Sequence, residues 1–157
     1  MSVEEYLKHS GKPNCEYIDG FLRPKPMPTK AHAMIQRRVM ELLSEQGVEA
    51  LQEVTVRLSA TQYLIPDVIA DRVIEDPYPT KPVMLCVEIL SPEDRLSAAL
   101  AKCDDYFTWG VPHCWVIDPI KQVAWEYQTP NDLVKIEAGQ TLQAGSLTIH
   151  MNDLFPR

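Results

Sequence analysis

The sequence lacks the marks of a membrane or secreted protein. No apolar run approaches the ~20 residues that a helix needs to span a bilayer. The first residues, MSVEEYLKHSGK, have neither the basic start nor the apolar stretch of a signal peptide. The four cysteines include no CxxC pair, which argues against a zinc ribbon and favours reduced thiols that pack as small apolar side chains. We therefore expect a cytoplasmic protein without a membrane partner.

The chain is also poor in positive charge, with 15 Lys and Arg residues against 22 Asp and Glu residues and a net charge of −7. Proteins that bind nucleic acid in general are usually basic, so this balance argues against that class. It does not exclude a nuclease, because carboxylates that hold a divalent cation become a positive site once loaded. The absence of a GxSxG elbow and of a Gly-rich phosphate loop argues against a small α/β hydrolase acting on another kind of substrate.

What the sequence does contain is typical of one soluble globular domain. The chain has 157 residues, of which 45% are hydrophobic and 24% are charged. It shows no internal repeat, low-complexity segment or linker. We therefore expect a single domain over residues 1–157.

Apolar periodicity and end signals predict three helices, over residues 3–11, 29–46 and 96–109. Gly11 follows the first helical pattern, Thr29 is a suitable N-cap for the second, and Gly47 and Gly110 are suitable stops. Asp19-Gly20 lies between two short extended pieces, which is typical of a hairpin.

Further segments predict strands, over residues 48–59, 63–71, 83–90, 113–119 and 122–128. The tail, residues 147–155, predicts one short strand followed by a closing apolar turn. The first of these segments alternates between apolar and polar residues and predicts one half-buried strand. The third is continuously apolar and predicts a strand covered on both faces. Packing this order of elements into one sheet flanked by helices predicts an α/β fold.

Two carboxylates accompany these apolar strands. Asp67 follows Pro66 at the start of an apolar run, and Glu88 comes near the end of another. Neighbouring strands lie about 4.8 Å apart, so the two carboxylates can converge if their strands pair. Oxygen ligands of this kind suit Mg²⁺ or Mn²⁺, and the backbone carbonyl of Ile89 can add a third ligand.

A lysine on the following helix completes a possible hydrolytic site. The Lys102 ammonium could stabilise a pentavalent phosphate or position the attacking water beside such a metal. Other roles remain open for these residues. Asp67 could cap a strand or turn, Glu88 could form a structural ion pair with Arg95 or Lys102, and Lys102 could be a solvated helix residue.

Five segments in this order resemble the Uma-two family, described as restriction endonucleases of the PD-(D/E)XK nuclease superfamily. They are CEYIDG (15–20), AHAMIQRRVMELL (31–43), YLIPDVIA (63–70), VEILSP (87–92) and KCDDYFTWGVPHCWVIDP (102–119). The resemblance covers nearly the whole chain. It implies a restriction-endonuclease-like core, in which a central mixed β-sheet is flanked by helices and carries an extra β-hairpin. It also implies an endonuclease that uses Mg²⁺ or Mn²⁺ to hydrolyse DNA, and cutting both strands favours a homodimer.

The resemblance also implies particular site residues. Asp67 and Glu88 match the metal ligands of the superfamily. The superfamily lysine usually stands two residues after the glutamate, where this chain has Leu90, and Lys102 matches the position to which the lysine moves in this family. Glu16 matches a further acidic position, although a surface location is an alternative for it.

Three more positions bear on function. His32 matches a histidine at a helix start that could contact phosphate or substrate, or could be structural. Tyr106 lies one helical turn after Lys102 and could bind substrate, orient Lys102 or pack in the core. Ala98 stands where such proteins often carry an aspartate. This departure and the acidic charge favour a second hypothesis, a nuclease-like fold kept as a binding or assembly module with a weak or inactive site.

Overall fold

The computed structural model describes residues 1–9, 14–129 and 132–156, and within them the chain forms four helices and twelve strands. The helices are α1 (Val3–Leu7), α2 (Lys30–Ser44), α3 (Leu96–Trp109) and α4 (Met151–Leu154). The strands are β1 (Cys15–Ile18), β2 (Phe21–Pro24), β3 (Glu49–Gln52), β4 (Val56–Ser59), β5 (Gln62–Leu64), β6 (Val68–Asp71), β7 (Leu85–Ile89), β8 (His113–Asp118), β9 (Val123–Thr129), β10 (Asp132–Ile136), β11 (Thr141–Ala144) and β12 (Leu147–His150). None of the helices in these ranges is long and apolar enough to cross a membrane.

The ends of the two long helices confirm the local signals of the sequence. The Thr29 side chain accepts a hydrogen bond from the His32 N–H at 3.2 Å and caps α2. Gly110 ends α3 with a φ of 122°, a backbone conformation that residues with a Cβ rarely adopt. Gly11, which the sequence places after the first helix, lies outside the described residues.

A six-stranded mixed sheet forms the centre of the molecule, with the strand order β10-β9-β8-β7-β6-β3. Strands β7 and β8 are parallel, and the other neighbours are antiparallel. Strand β7 is buried along its whole length, as its continuous apolar run predicts. A mixed sheet flanked by helices confirms the predicted fold class.

The two faces of this sheet carry separate cores. Residues Leu85, Val87 and Ile89 of β7 pack with apolar side chains of α2 on one face. Cys86 packs with α3 on the other face. Because side chains alternate along a strand, Glu88 shares the α3 face with Cys86. The sheet therefore presents this carboxylate to the helix that carries Lys102.

A second sheet, with the order β2-β1-β5-β4, corrects the predicted strands. The segments 48–59 and 63–71 were each expected to form one strand, but each is divided between the two sheets. The first breaks at Glu53, whose φ is 54°, and the second breaks around Pro66, which has no N–H for a sheet ladder. The Glu53 N–H donates to the Asp67 carbonyl at 3.4 Å, so the two crossings lie side by side.

The Asp19-Gly20 hairpin between β1 and β2 is confirmed, with φ values of 48° and 94° at the turn. The C-terminal region holds more β-structure than the single short strand that its sequence predicts. Strand β10 extends the central sheet, and β11 pairs with β12 in a separate hairpin.

Candidate active site

A cavity of about 700 Å³ opens beside the C-terminal end of β7. Its walls combine side chains from both sheet crossings, the start of α2, the loop after β7 and α3. They include Asp67, Glu88 and Lys102, together with Pro26, Met27 and Pro28 from the connector after β2. The fold thus gathers most of the predicted site residues at one concave surface, whereas Glu16 and Tyr106 are buried and do not line it.

The two predicted carboxylates come together through strand pairing. Val68 pairs with Val87 in the antiparallel register of β6 and β7, so Asp67, directly before β6, and Glu88 occupy the next positions along the two chain segments. Both residues are buried, with 3% and 5% of their surface exposed. The Ile89 N–H donates to Oδ2 of Asp67 at 2.6 Å, which anchors one carboxylate to the backbone beside the other.

The other oxygen of Asp67 faces two nitrogen donors. Nζ of Lys25 lies 2.9 Å from Oδ1, and Nε2 of His32 lies 3.3 Å from the same atom. Burial by itself raises the pKa of Asp67, but the His32 hydrogen bond and the Lys25 charge outweigh it. The pKa therefore lies below its ordinary value, and Asp67 is a carboxylate at neutral pH.

Glu88 has the opposite electrostatic balance. Burial is the largest cause that raises its pKa to about 8, the Lys102 charge opposes it, and the neighbouring Asp67 carboxylate contributes to the rise. The Tyr106 hydroxyl donates to Oε1 of Glu88 at 2.5 Å. The paired carboxyl groups thus have pKa values displaced in opposite directions, which is common where carboxylates have separate roles in a site.

Lys102 is held at the site by a second glutamate. Its ammonium lies 2.9 Å from Oε1 of Glu16 and 3.9 Å from Oε1 of Glu88, and 19% of its side chain is exposed. Burial lowers the pKa of Lys102, but the charges of Glu88 and Glu16 raise it above its ordinary value. A solvated helix residue, one of the alternatives for Lys102, does not fit this position.

Glu16 is buried rather than on the surface, with 1% of it exposed. Oε1 accepts two hydrogen bonds from the Arg23 guanidinium, at 3.1 and 3.0 Å, and Oε2 accepts the Ile65 N–H at 2.8 Å. The strand pair β1–β2 and the crossing before Asp67 thereby fix the carboxylate that contacts Lys102.

His32 and Tyr106 contact the carboxylates. His32 is buried against Asp67, and its Nδ1 has no hydrogen-bond partner in the described part of the chain. The Tyr106 hydroxyl bonds to Glu88, which differs from the suggested contact with Lys102 because the face of α3 that carries Tyr106 packs directly over β7.

The structure adds site residues that the sequence did not indicate. Nζ of Lys25 contacts Oε2 of Glu53 at 3.0 Å and the Ile65 carbonyl at 2.8 Å, besides Asp67. Nε2 of Gln36 donates to Oε1 of Glu53 at 3.1 Å and to the Asp67 carbonyl at 2.8 Å. Lys25 stands in a Pro-rich connector and Glu53 on the polar side of an alternating segment, and neither pattern signals a site.

The donor set suits a hard divalent cation with few protein ligands. Within the described ranges, no group of three or more His, Cys, Asp or Glu side chains is arranged to hold a metal. Two carboxylates and backbone carbonyls are nevertheless the oxygen donors that Mg²⁺ and Mn²⁺ take while they keep several waters. An ammonium already sits among such oxygens at Asp67, so the surroundings accommodate positive charge.

A solved structure shares this architecture. It is titled a "putative nuclease belonging to DUF820" from Anabaena variabilis, with 22% identity, a TM-score of 0.82, and coverage of 99% of this chain and 97% of that chain. A DrdV–DNA complex also aligns, at 18% identity and a TM-score of 0.47, over 73% of this chain and 10% of that chain. The chain therefore has the same mixed α/β fold as the Anabaena variabilis structure.

The sequence comparison is more specific. Residues 3–154 match the Uma2 family model, whose description is "Putative restriction endonuclease". The chain belongs to the Uma2 family. A comparison with curated proteins gives no match.

Proposed function

We propose that this Uma2 protein is an endonuclease that hydrolyses phosphodiester bonds of DNA with Mg²⁺ or Mn²⁺ as cofactor. The observation that carries the proposal is the convergence of Asp67 and Glu88 on one cavity, with the Lys102 ammonium 3.9 Å from Glu88. A buried group of this kind is expensive to maintain and is typical of a functional site. The whole of 1–157 serves as one nuclease domain in this proposal.

The residues have separate roles in the proposed reaction. Asp67, Glu88 and the Ile89 carbonyl hold the cation. When bound, a divalent cation polarises a phosphoryl oxygen and lowers the pKa of a water molecule. Lys102 faces the same cavity and stabilises negative charge on the phosphate as the water attacks. No covalent intermediate with the protein is required.

The surrounding contacts position these groups. Glu16 holds the Lys102 ammonium at 2.9 Å, Tyr106 holds Glu88, and His32 holds Asp67. Glu16 thus acts through Lys102 and the fully buried Tyr106 acts through Glu88, while His32 lines the cavity and can also meet a bound phosphate. The net charge of −7 gives little general attraction to DNA, so substrate binding depends on the loaded cation and the cavity. A homodimer would supply two sites for cutting both strands.

Cleavage of supercoiled plasmid in Mg²⁺ or Mn²⁺ tests the proposal. We expect Asp67→Ala and Glu88→Ala to lose at least about 100-fold of the nicking rate, since each removes a cation ligand. Glu93→Ala is a control for the loss of one carboxylate, because Glu93 is exposed. An Asp67→Ala protein that cuts plasmid as fast as the parent would refute the assignment.

A second function is favoured by one observation. Lys25 and Lys102 already neutralise the acidic groups of the cavity through contacts of 2.9 Å to Asp67 and to Glu16. This arrangement, together with Ala98, fits a nuclease-fold binding or assembly module with a weak or inactive site. Titration calorimetry separates the two functions, since absence of Mn²⁺ binding at millimolar metal would favour the module.

A further inference from the structure

Lys25 occupies the centre of an oxygen set that resembles a cation site. Its side chain is 10% exposed, and its ammonium donates to Oδ1 of Asp67 at 2.9 Å, to Oε2 of Glu53 at 3.0 Å and to the Ile65 carbonyl at 2.8 Å. An ammonium has three N–H donors, so these contacts saturate it. Two carboxylates and one carbonyl around a single positive centre are also a donor set that hard divalent cations use.

The oxygen set is built by the two sheet crossings. Glu53 holds a left-handed backbone conformation, and its side chain is fixed by Nε2 of Gln36 at 3.1 Å. The same Gln36 nitrogen bonds to the Asp67 carbonyl, so both acidic residues are held by one side chain of α2. A non-glycine residue kept at positive φ costs free energy and is often found at functional sites. Both acidic residues are therefore held by α2, whereas Lys25 belongs to the Pro-rich connector after β2.

Lys25 belongs to an exposed segment, residues 24–28, which we name the strap. The strap contains three prolines, which have no N–H to donate, and its Met27 is 86% exposed. Its backbone is tied by Pro24, which is the last residue of β2, and by the Lys25 N–H, which donates to the Asn14 carbonyl at 2.8 Å. A segment of this kind can move from the core at lower cost than a helix or a central strand.

We infer that the Lys25 ammonium is a tethered cation, which holds the Asp67, Glu53 and Ile65 oxygens in the metal-free protein and leaves them when a divalent cation binds there. An ammonium and a divalent cation cannot share these oxygens, since like charges at contact distance repel strongly in a buried site. Mg²⁺–oxygen distances of about 2.0–2.1 Å require the oxygens to close inward by less than ~1 Å. The inference rests on the metal dependence of the proposed function, and it adds Glu53 and the Ile65 carbonyl to the donors.

Mn²⁺ affinity measured by calorimetry tests this exchange. Lys25→Met removes the competing cation, so we expect it to bind Mn²⁺ at least about tenfold more tightly than the parent. Lys81→Met, the charge-matched control, should stay within about twofold of the parent. Addition of Glu53→Gln to Lys25→Met should abolish most of the gain. Unchanged or weaker binding in Lys25→Met, no effect of Glu53→Gln, or no Mn²⁺ binding by either protein would overturn the inference.

A second measurement uses the unmodified protein and so does not depend on the folding of a variant. The rate of lysine acylation is followed by mass spectrometry without metal and with saturating Mg²⁺. Release of the buried ammonium should raise the labelling rate of Lys25 several-fold, while the exposed Lys81 keeps its rate. A Lys25 that stays protected in the metal-loaded protein contradicts the exchange.

The outcomes separate this inference from the proposed function. Plasmid cleavage that depends on Asp67, with Lys25 still protected by saturating metal, would support the nuclease and reject the exchange. Metal-dependent release of Lys25 without any DNA cleavage would support the exchange and reject the nuclease.

Discussion

The ionisation of Glu88 gives the sharpest quantitative prediction. Its pKa rises from 4.5 to about 8 in the folded protein, chiefly because the side chain is buried beneath α3. A carboxyl whose folded pKa is raised binds its proton more tightly in the folded state. Its contribution to stability is fully present below pH 4.5, declines as the pH rises above that value, and is lost as the pH rises through 8.

The size of this effect follows from linkage. Each pKa unit corresponds to about 1.4 kcal/mol, so the displacement corresponds to at most about 5 kcal/mol between pH 4.5 and pH 9. The Glu88→Gln side chain cannot ionise and still accepts the Tyr106 hydrogen bond. We therefore expect the free energy of unfolding of the parent to fall relative to that of Glu88→Gln as the pH rises, and the variant to be the more stable protein at pH 9.

Urea unfolding followed by tryptophan fluorescence, with a chelator present, measures both proteins at pH 5, 7 and 9. The difference between them isolates Glu88 from other titrating groups. Glu93→Gln is the matched control, because Glu93 is an exposed carboxylate a few residues further along the chain. If the difference between the parent and Glu88→Gln stays constant from pH 5 to pH 9, then Glu88 is already ionised at pH 5 and the reasoning fails.

Three further predictions concern the metal and the helix ends. Mn²⁺ affinity should rise by up to about tenfold per pH unit between pH 6 and 8, since Glu88 must lose its proton to bind the cation; calorimetry showing no pH dependence would contradict this. Gly110→Ala should cost about 1–3 kcal/mol of unfolding free energy, because a Cβ there meets Cγ of Pro82 at 2.9 Å and φ is 122°; an unchanged urea midpoint would refute it. Thr29→Ala should cost about 1 kcal/mol through loss of the bond to the His32 N–H, whereas Thr29→Ser should restore most of it.

The long helices and their ends could be predicted because their signals are local. Thr29 and Gly110 act on backbone groups within one turn of themselves, so a short stretch of sequence contains the information. The carboxylates of Asp67 and Glu88 could also be placed together, because each adjoins an apolar run that had to pair inside one sheet. The strand boundaries were harder, since an alternating pattern does not show that a chain leaves one sheet for another at Glu53.

The sequence by itself determined the α/β class, the family and the two carboxylates with their lysine, since these depend on local periodicity and on ordered segments of residues. Only the tertiary structure decided that Lys25 meets Asp67 and Glu53, and that Tyr106 bonds to Glu88. The first two contacts join residues 42 and 28 positions apart. Their formation depends on the path of the chain between two sheets, and no short pattern of side chains encodes that path.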